Sequence, residues 1–72
     1  MKAVIRYKDW LTNKRKQKTV DTEINEPNHI IRLFAKKVNA PAYTVVTTVK
    51  CGRYEYQWFS PIRYAGVGGA FD

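Results

Sequence analysis

Few residues in this chain carry side chains that make and break bonds. Among 72 residues there is one histidine, His29, one cysteine, Cys51, and one serine, Ser60. A serine nucleophile needs a base in hydrogen-bond contact and a third group to orient that base. Ser60 is followed by Pro61, and nothing in the sequence brings His29 or an acid to it. Cys51 stands between Lys50 and Arg53, a setting in which a thiol can become reactive, although a small, partly buried turn residue is the plainer reading. His29 suits proton transfer in a small ribonuclease toxin, with Arg32 and Lys36 holding phosphate; its plain reading is a polar residue on an exposed helix face. Asp21, Glu23 and Glu26 raise the question of a Mg²⁺ site, yet such a row more often lines the wet face of an edge strand. The expectation is a non-enzyme without catalytic residues, metal or cofactor.

What the chain has in quantity is positive charge. Thirteen Lys and Arg against six Asp and Glu give a net charge of +7. Residues 1–20 hold seven cations and one acid, 21–31 hold three acids and no cation, and 32–53 hold five cations and no acid. Solubility needs far less asymmetry than this, and such a field draws in polyanions or acidic protein faces. The candidate contact residues are Lys14, Arg15, Lys16 and Lys18 in the stretch NKRKQK, Arg32 and Lys36 further on, and Lys50 and Arg53 beyond them.

These side chains need elements to position them. Residues 2–8 alternate, with Ala3, Ile5 and Tyr7 on one side and Lys2, Val4, Arg6 and Lys8 on the other, the period of a strand. A weaker alternation over Lys18–Ile24 puts Val20, Thr22 and Ile24 on one face. If the two strands pair, NKRKQK is the tip of their hairpin, with Trp10 and Leu11 at its base. NEPNHIIRLFAKKVNAP reads as an amphipathic helix: Pro27 suits the first turn, Glu26 complements its positive end, and Asn39 with Pro41 stops it. Ile30, Ile31, Phe34, Ala35 and Val38 share one face; His29, Arg32, Lys36 and Asn39 share the other. AYTVVTTVKCGRYEYQWF returns to period 2 and predicts a hairpin turning at Cys51-Gly52, with Val49/Tyr54, Thr47/Tyr56 and Val45/Trp58 as neighbours on the apolar face. Thr48, Glu55, Val46 and Gln57 fall on the other. IRYA, after Pro61, is a candidate short fifth strand.

The resulting fold class is α+β: an antiparallel four-stranded sheet, with a possible fifth strand, and one helix packed on one face, in the order ββαββ. Tyr54, Tyr56 and Trp58 are base-stacking candidates. They share their face with Val45 and Val49, however, so packing under the helix is the stronger reading. A chain this short buries only about 60% of its unfolded surface, so a single domain over residues 1–65 is expected, with a loose Gly-rich tail over 66–72. No secretory leader or membrane span is recognisable, and a lone thiol suits a reducing cytoplasm.

The Met-Lys start, the alternating first strand, the helix and the Val- and aromatic-rich closing hairpin resemble small phage-encoded inhibitors. Examples are type I anti-CRISPR proteins and the small phage inhibitor of bacterial RNA polymerase. HIIRLFAKKVNAPAYTVVTTVKCG carries most of the likeness, which is one of architecture over residues 2–59 and includes no diagnostic motif. The resemblance implies a non-catalytic protein that occupies a surface of a bacterial nucleoprotein complex in the host cytoplasm, as a monomer or weak dimer. Many such inhibitors are acidic DNA mimics. This chain is basic and would instead meet an acidic protein surface, or DNA or RNA itself. A stand-alone nucleic-acid-binding module is the alternative, and the ribonuclease using His29 a further one.

Overall fold

The computed structural model describes residues 1–66. β1 (Lys2–Lys8) and β2 (Arg15–Asp21) form an antiparallel hairpin, α1 (Pro27–Val38) follows, and β3 (Val45–Cys51) and β4 (Tyr54–Pro61) form a second hairpin. β1 also pairs antiparallel with β3, so the four strands lie in the order β2-β1-β3-β4. The architecture is the expected ββαββ α+β fold.

Burial explains the arrangement. Ala3, Ile5 and Tyr7 of β1 are buried together with Val20, Val46, Val49 and Cys51 of the flanking strands. α1 lays Ile30, Ile31, Phe34 and Ala35 over them, and the Tyr7 and Phe34 rings meet with centroids 4.7 Å apart. Each such large apolar side chain contributes about 1.5–3 kcal/mol when fully buried. The Glu26 carboxylate caps the helix, accepting from the Asn28 N–H at 3.0 Å and the His29 N–H at 2.8 Å. Asn39, left-handed at φ 53°, ends it. Tyr56 and Trp58 pack against this core, as their shared face with the valines requires, while Tyr54 is exposed.

Four local expectations are corrected. β2 begins at Arg15, not Lys18, so the connecting loop is residues 9–14 and the cations from Arg15 to Lys18 stand in an edge strand. The loop is closed by Asp9, whose N–H donates to the Lys14 carbonyl and whose own carbonyl accepts from the Asn13 N–H. The second turn is Gly52-Arg53, with Cys51 opposite Tyr54 in the ladder. Gly52 has φ 62° and no other residue of that turn is left-handed, which is the glycine position of a type II′ hairpin. Cross-strand partners therefore shift by two residues: Val49 faces Tyr56, and Lys50 faces Glu55.

Val46 is buried on the helix side because the β1–β3 ladder skips Thr47, so Val46 and Val49, three apart, both reach the core opposite Tyr7 and Ile5. Finally, Ile62–Ala65 is a 3₁₀ turn, not a strand. Ile62 and Ala65, three apart, eclipse on one side of such a turn and are both buried. Of the expected tail, Gly66 ends this turn and the remainder lies outside the described residues.

Candidate functional site

With α1 on one face of the sheet, the other face is uncovered. Alternation and register define what it displays. In β1 the residues between the buried ones are Lys2, Val4, Arg6 and Lys8; on β2 their partners are Asp21, Thr19, Gln17 and Arg15. On β3, Val4 and Arg6 face Lys50 and Thr48, which in turn face Glu55 and Gln57 on β4. All of these are exposed except Val4 and Thr48, which are half-buried.

The charges on this face are unevenly compensated. At one end Lys2 Nζ lies 3.9 Å from the Asp21 carboxylate, and Lys50 stands opposite Glu55. At the other end Lys8 stands directly opposite Arg15, with Arg6 one step along β1. Among the described residues none of these three cations makes an ion pair; the pairs present are Lys2–Asp21, Lys16–Asp9 and Arg32–Glu26. Like charges directly across an antiparallel ladder repel and destabilise it, so this corner would gain from an anion held between them.

Beside that corner lies a shallow groove of about 480 Å³ lined by Arg6, Arg15, Gln17, Thr47, Thr48 and Phe59, with Tyr7 and Lys16 of the β1–β2 edge also bordering it. Phe59 is 67% exposed and has φ 50°. It falls where the β3–β4 ladder is irregular, between the Thr48–Gln57 and Val46–Ser60 pairs. A bulky aromatic residue at positive φ is a genuine backbone outlier, costing on the order of 1–3 kcal/mol, and such residues concentrate at functional sites. The Thr47 hydroxyl donates to the Arg6 carbonyl at 3.1 Å and ties this irregular stretch to β1.

The cations singled out in the sequence do not form one surface. Arg15 and Lys50 lie on the open face. Lys16 and Lys18 share the side of β2 that carries Val20, on the helix side, and Lys16 Nζ is 3.6 Å from the Asp9 carboxylate. Lys14 is in the loop, and Arg53 is in the turn at the far end of the sheet. Arg32 is engaged structurally: it donates to the Ala65 carbonyl and lies 4.0 Å from Glu26. Lys36 is exposed on α1, lining a depression with His29 and Arg32. The open face adds Lys2, Arg6, Lys8 and Phe59, which charge clustering along the chain does not single out. The alternation of residues 2–8 puts the first three on one side; nothing in the sequence marks Phe59 as left-handed.

Asp9 explains the shape of the loop beside this corner. Its side chain is 8% exposed, and Oδ2 accepts from the Thr12 hydroxyl at 2.8 Å and the Thr12 N–H at 3.1 Å. The hydroxyl bond, helped by the Thr12 N–H and Lys16, outweighs burial and holds the carboxyl below its ordinary range.

The residues with reactive side chains are placed apart. Cys51 is buried in the core, Ser60 pairs with Val46 within the ladder, and His29 lies on the first turn of α1. Among the described residues no group of three His, Cys, Asp or Glu is placed to hold a metal ion, and no helix is long and apolar enough to cross a membrane.

Comparison of the chain with family models, with curated proteins and with solved structures finds no match.

Proposed function

We propose that this protein is a non-enzymatic nucleic-acid-binding protein that receives the phosphate backbone on its open sheet face. The observation that carries this reading is the corner of Arg6, Lys8 and Arg15, three cations side by side without an ion-pair partner among the described residues. A polyanion relieves their repulsion and releases its own counterions as it binds. The position of His29 supports the non-enzymatic reading, since α1 lies across the sheet from this corner and a phosphate held there would be out of its reach. Inhibition of a bacterial nucleic-acid-handling complex, the mode implied by the likeness to phage-encoded inhibitors, would set the same cations against an acidic protein surface of that complex. Binding of free oligonucleotides separates the two, since the inhibitor alone does not require it.

The test is fluorescence anisotropy with short DNA and RNA oligonucleotides, single-stranded and duplex, over a range of salt. Binding is expected at low salt and weakening as salt rises. Replacing Arg6, Lys8 or Arg15 singly by Ala should lower the slope of log affinity against log salt by about 0.7–0.9 for each phosphate that is no longer neutralised. Absence of binding at low salt, or a triple variant that binds as the wild type does, rules the reading out.

A further inference from the structure

Resting on that reading, we infer that the nucleic acid taken by the open face is single-stranded, with one base stacked on Phe59 and its flanking phosphates on Arg6 and Arg15. Two features of Phe59 and the make-up of the groove around it converge on this. Phe59 leaves most of its ring in water, which forgoes the burial that normally stabilises an aromatic side chain. Its backbone is held at φ 50°, where a residue with a side chain is disfavoured. The left-handed backbone falls at the bulge of the β3–β4 ladder, which holds the ring out from the sheet, and a base laid on that exposed ring contributes about 1–3 kcal/mol.

The surroundings of the ring are of the right kinds. Arg6 and Arg15 line the same groove and supply charge-assisted donors for phosphate. Gln17, Thr47 and Thr48, also in the groove, supply donors and acceptors suited to a base edge or a sugar hydroxyl. Lys8, opposite Arg15, continues the cationic track beyond it.

Duplex fits this site poorly. Reading a duplex major groove takes a protruding helix or two-stranded ribbon; the only α-helix among the described residues, α1, lies on the other side of the sheet, and both hairpins are joined into the four-stranded sheet through β1 and β3, so neither is a free ribbon. In a duplex the base faces are also already stacked, so Phe59 would have none to meet. An unpaired strand, with bases free to splay out, can bring a base face to the ring and phosphates to the cations together.

The experiment compares four ligands by fluorescence anisotropy: a 12-nucleotide single strand as DNA, the same sequence as RNA, its duplex, and a strand of the same length made of abasic sugar-phosphate units. The proteins are the wild type and the Phe59→Leu, Phe59→Tyr and Arg6→Ala variants. All are checked for folding by circular dichroism; Phe59 is exposed, so its removal leaves the core intact. The expected result is preference for single strand over both duplex and abasic strand. Phe59→Leu should lose about 5- to 150-fold on the single strand and nothing on the abasic one, and Phe59→Tyr should restore most of the loss. Arg6→Ala should weaken every ligand alike. If the wild type binds duplex and abasic strand as tightly as single strand, or if Phe59→Leu binds unchanged while Arg6→Ala is impaired, the stacking inference is overturned and the phosphate reading stands. If no ligand binds at low salt, both fall.

Discussion

At the level of single residues two groups stand out, Asp9 in the first loop and Phe59 on the open face. Asp9 belongs to folding. Its carboxylate is lowered in the native state by the Thr12 hydroxyl above all, so the native state binds the proton less readily than the unfolded chain. Such a group adds stability above its unfolded pKa, and that contribution is lost as pH falls through the lowered native value. Asp9→Asn should therefore destabilise the protein at neutral pH and flatten the acid limb of a plot of stability against pH. An acid limb identical to the wild type's would show that the Thr12 interaction does not matter. Phe59 carries the proposed base contact, and its backbone makes a separate prediction. Glycine adopts positive φ without a steric penalty, though it costs more chain entropy on folding. Phe59→Gly should leave stability unchanged or raise it by up to about 1 kcal/mol, measured by urea denaturation, while it weakens single-strand binding. A clear loss of stability would mean that the ring is holding the sheet together.

At the level of elements, the helix is legible in the sequence because its signals act locally. Pro27, Glu26 and Asn39 each do in the structure what their chemistry requires at a helix end, and Ile30, Ile31 and Phe34 form the buried stripe that their spacing demands. Glu26→Ala removes a cap that satisfies two backbone N–H groups and should cost about 1 kcal/mol in chemical denaturation. β2 is harder to read because it is an edge strand in which only Val20 is buried. With a single apolar anchor there is no alternation to detect, and a run of cations resembles a loop. The register of the second hairpin differs by two residues from the expected one because Gly52 can occupy either central position of a two-residue turn. The site is legible to the extent that β1's alternation displays Lys2, Arg6 and Lys8, and illegible where it depends on strand pairing, since only register sets Lys8 opposite Arg15. That pairing yields its own test. Arg15→Glu replaces a like-charged cross-strand pair with an opposite one and should raise stability by roughly 0.2–1 kcal/mol while weakening nucleic-acid binding. Protein stability and ligand affinity moving in the same direction would contradict the assigned role of this corner.

Taken as a whole, the molecule has two sides of different make-up. One holds the core, with α1 laid over β2, β1 and β3 and the 3₁₀ turn fastened against it by the Arg32 bond to the Ala65 carbonyl. The other presents polar and cationic side chains to water. So small a domain has little stability to spare; Phe34→Ala, at the centre of the core, typically costs about 3–5 kcal/mol and should leave little of the protein folded at 37 °C. Because the open face carries no core residues, its charges and Phe59 can be altered without losing the fold. The total charge is what raises the expectation of a polyanion partner, but charge summed along a chain does not show which side of a sheet it occupies. Lys16 and Arg15 are neighbours in sequence and lie on opposite sides.

The placement of Cys51 has a consequence of another kind. It is the chain's single thiol, 1% exposed on the core side of β3, so a thiol reagent reaches it only when the sheet and helix separate. Its rate of modification is thus a clock for opening of the native structure. A ligand that binds only the closed form slows that clock by the inverse of the fraction left unliganded, about a hundredfold at a concentration one hundred times its dissociation constant. The far side of the sheet can in this way report what the open face is holding, without a label on either.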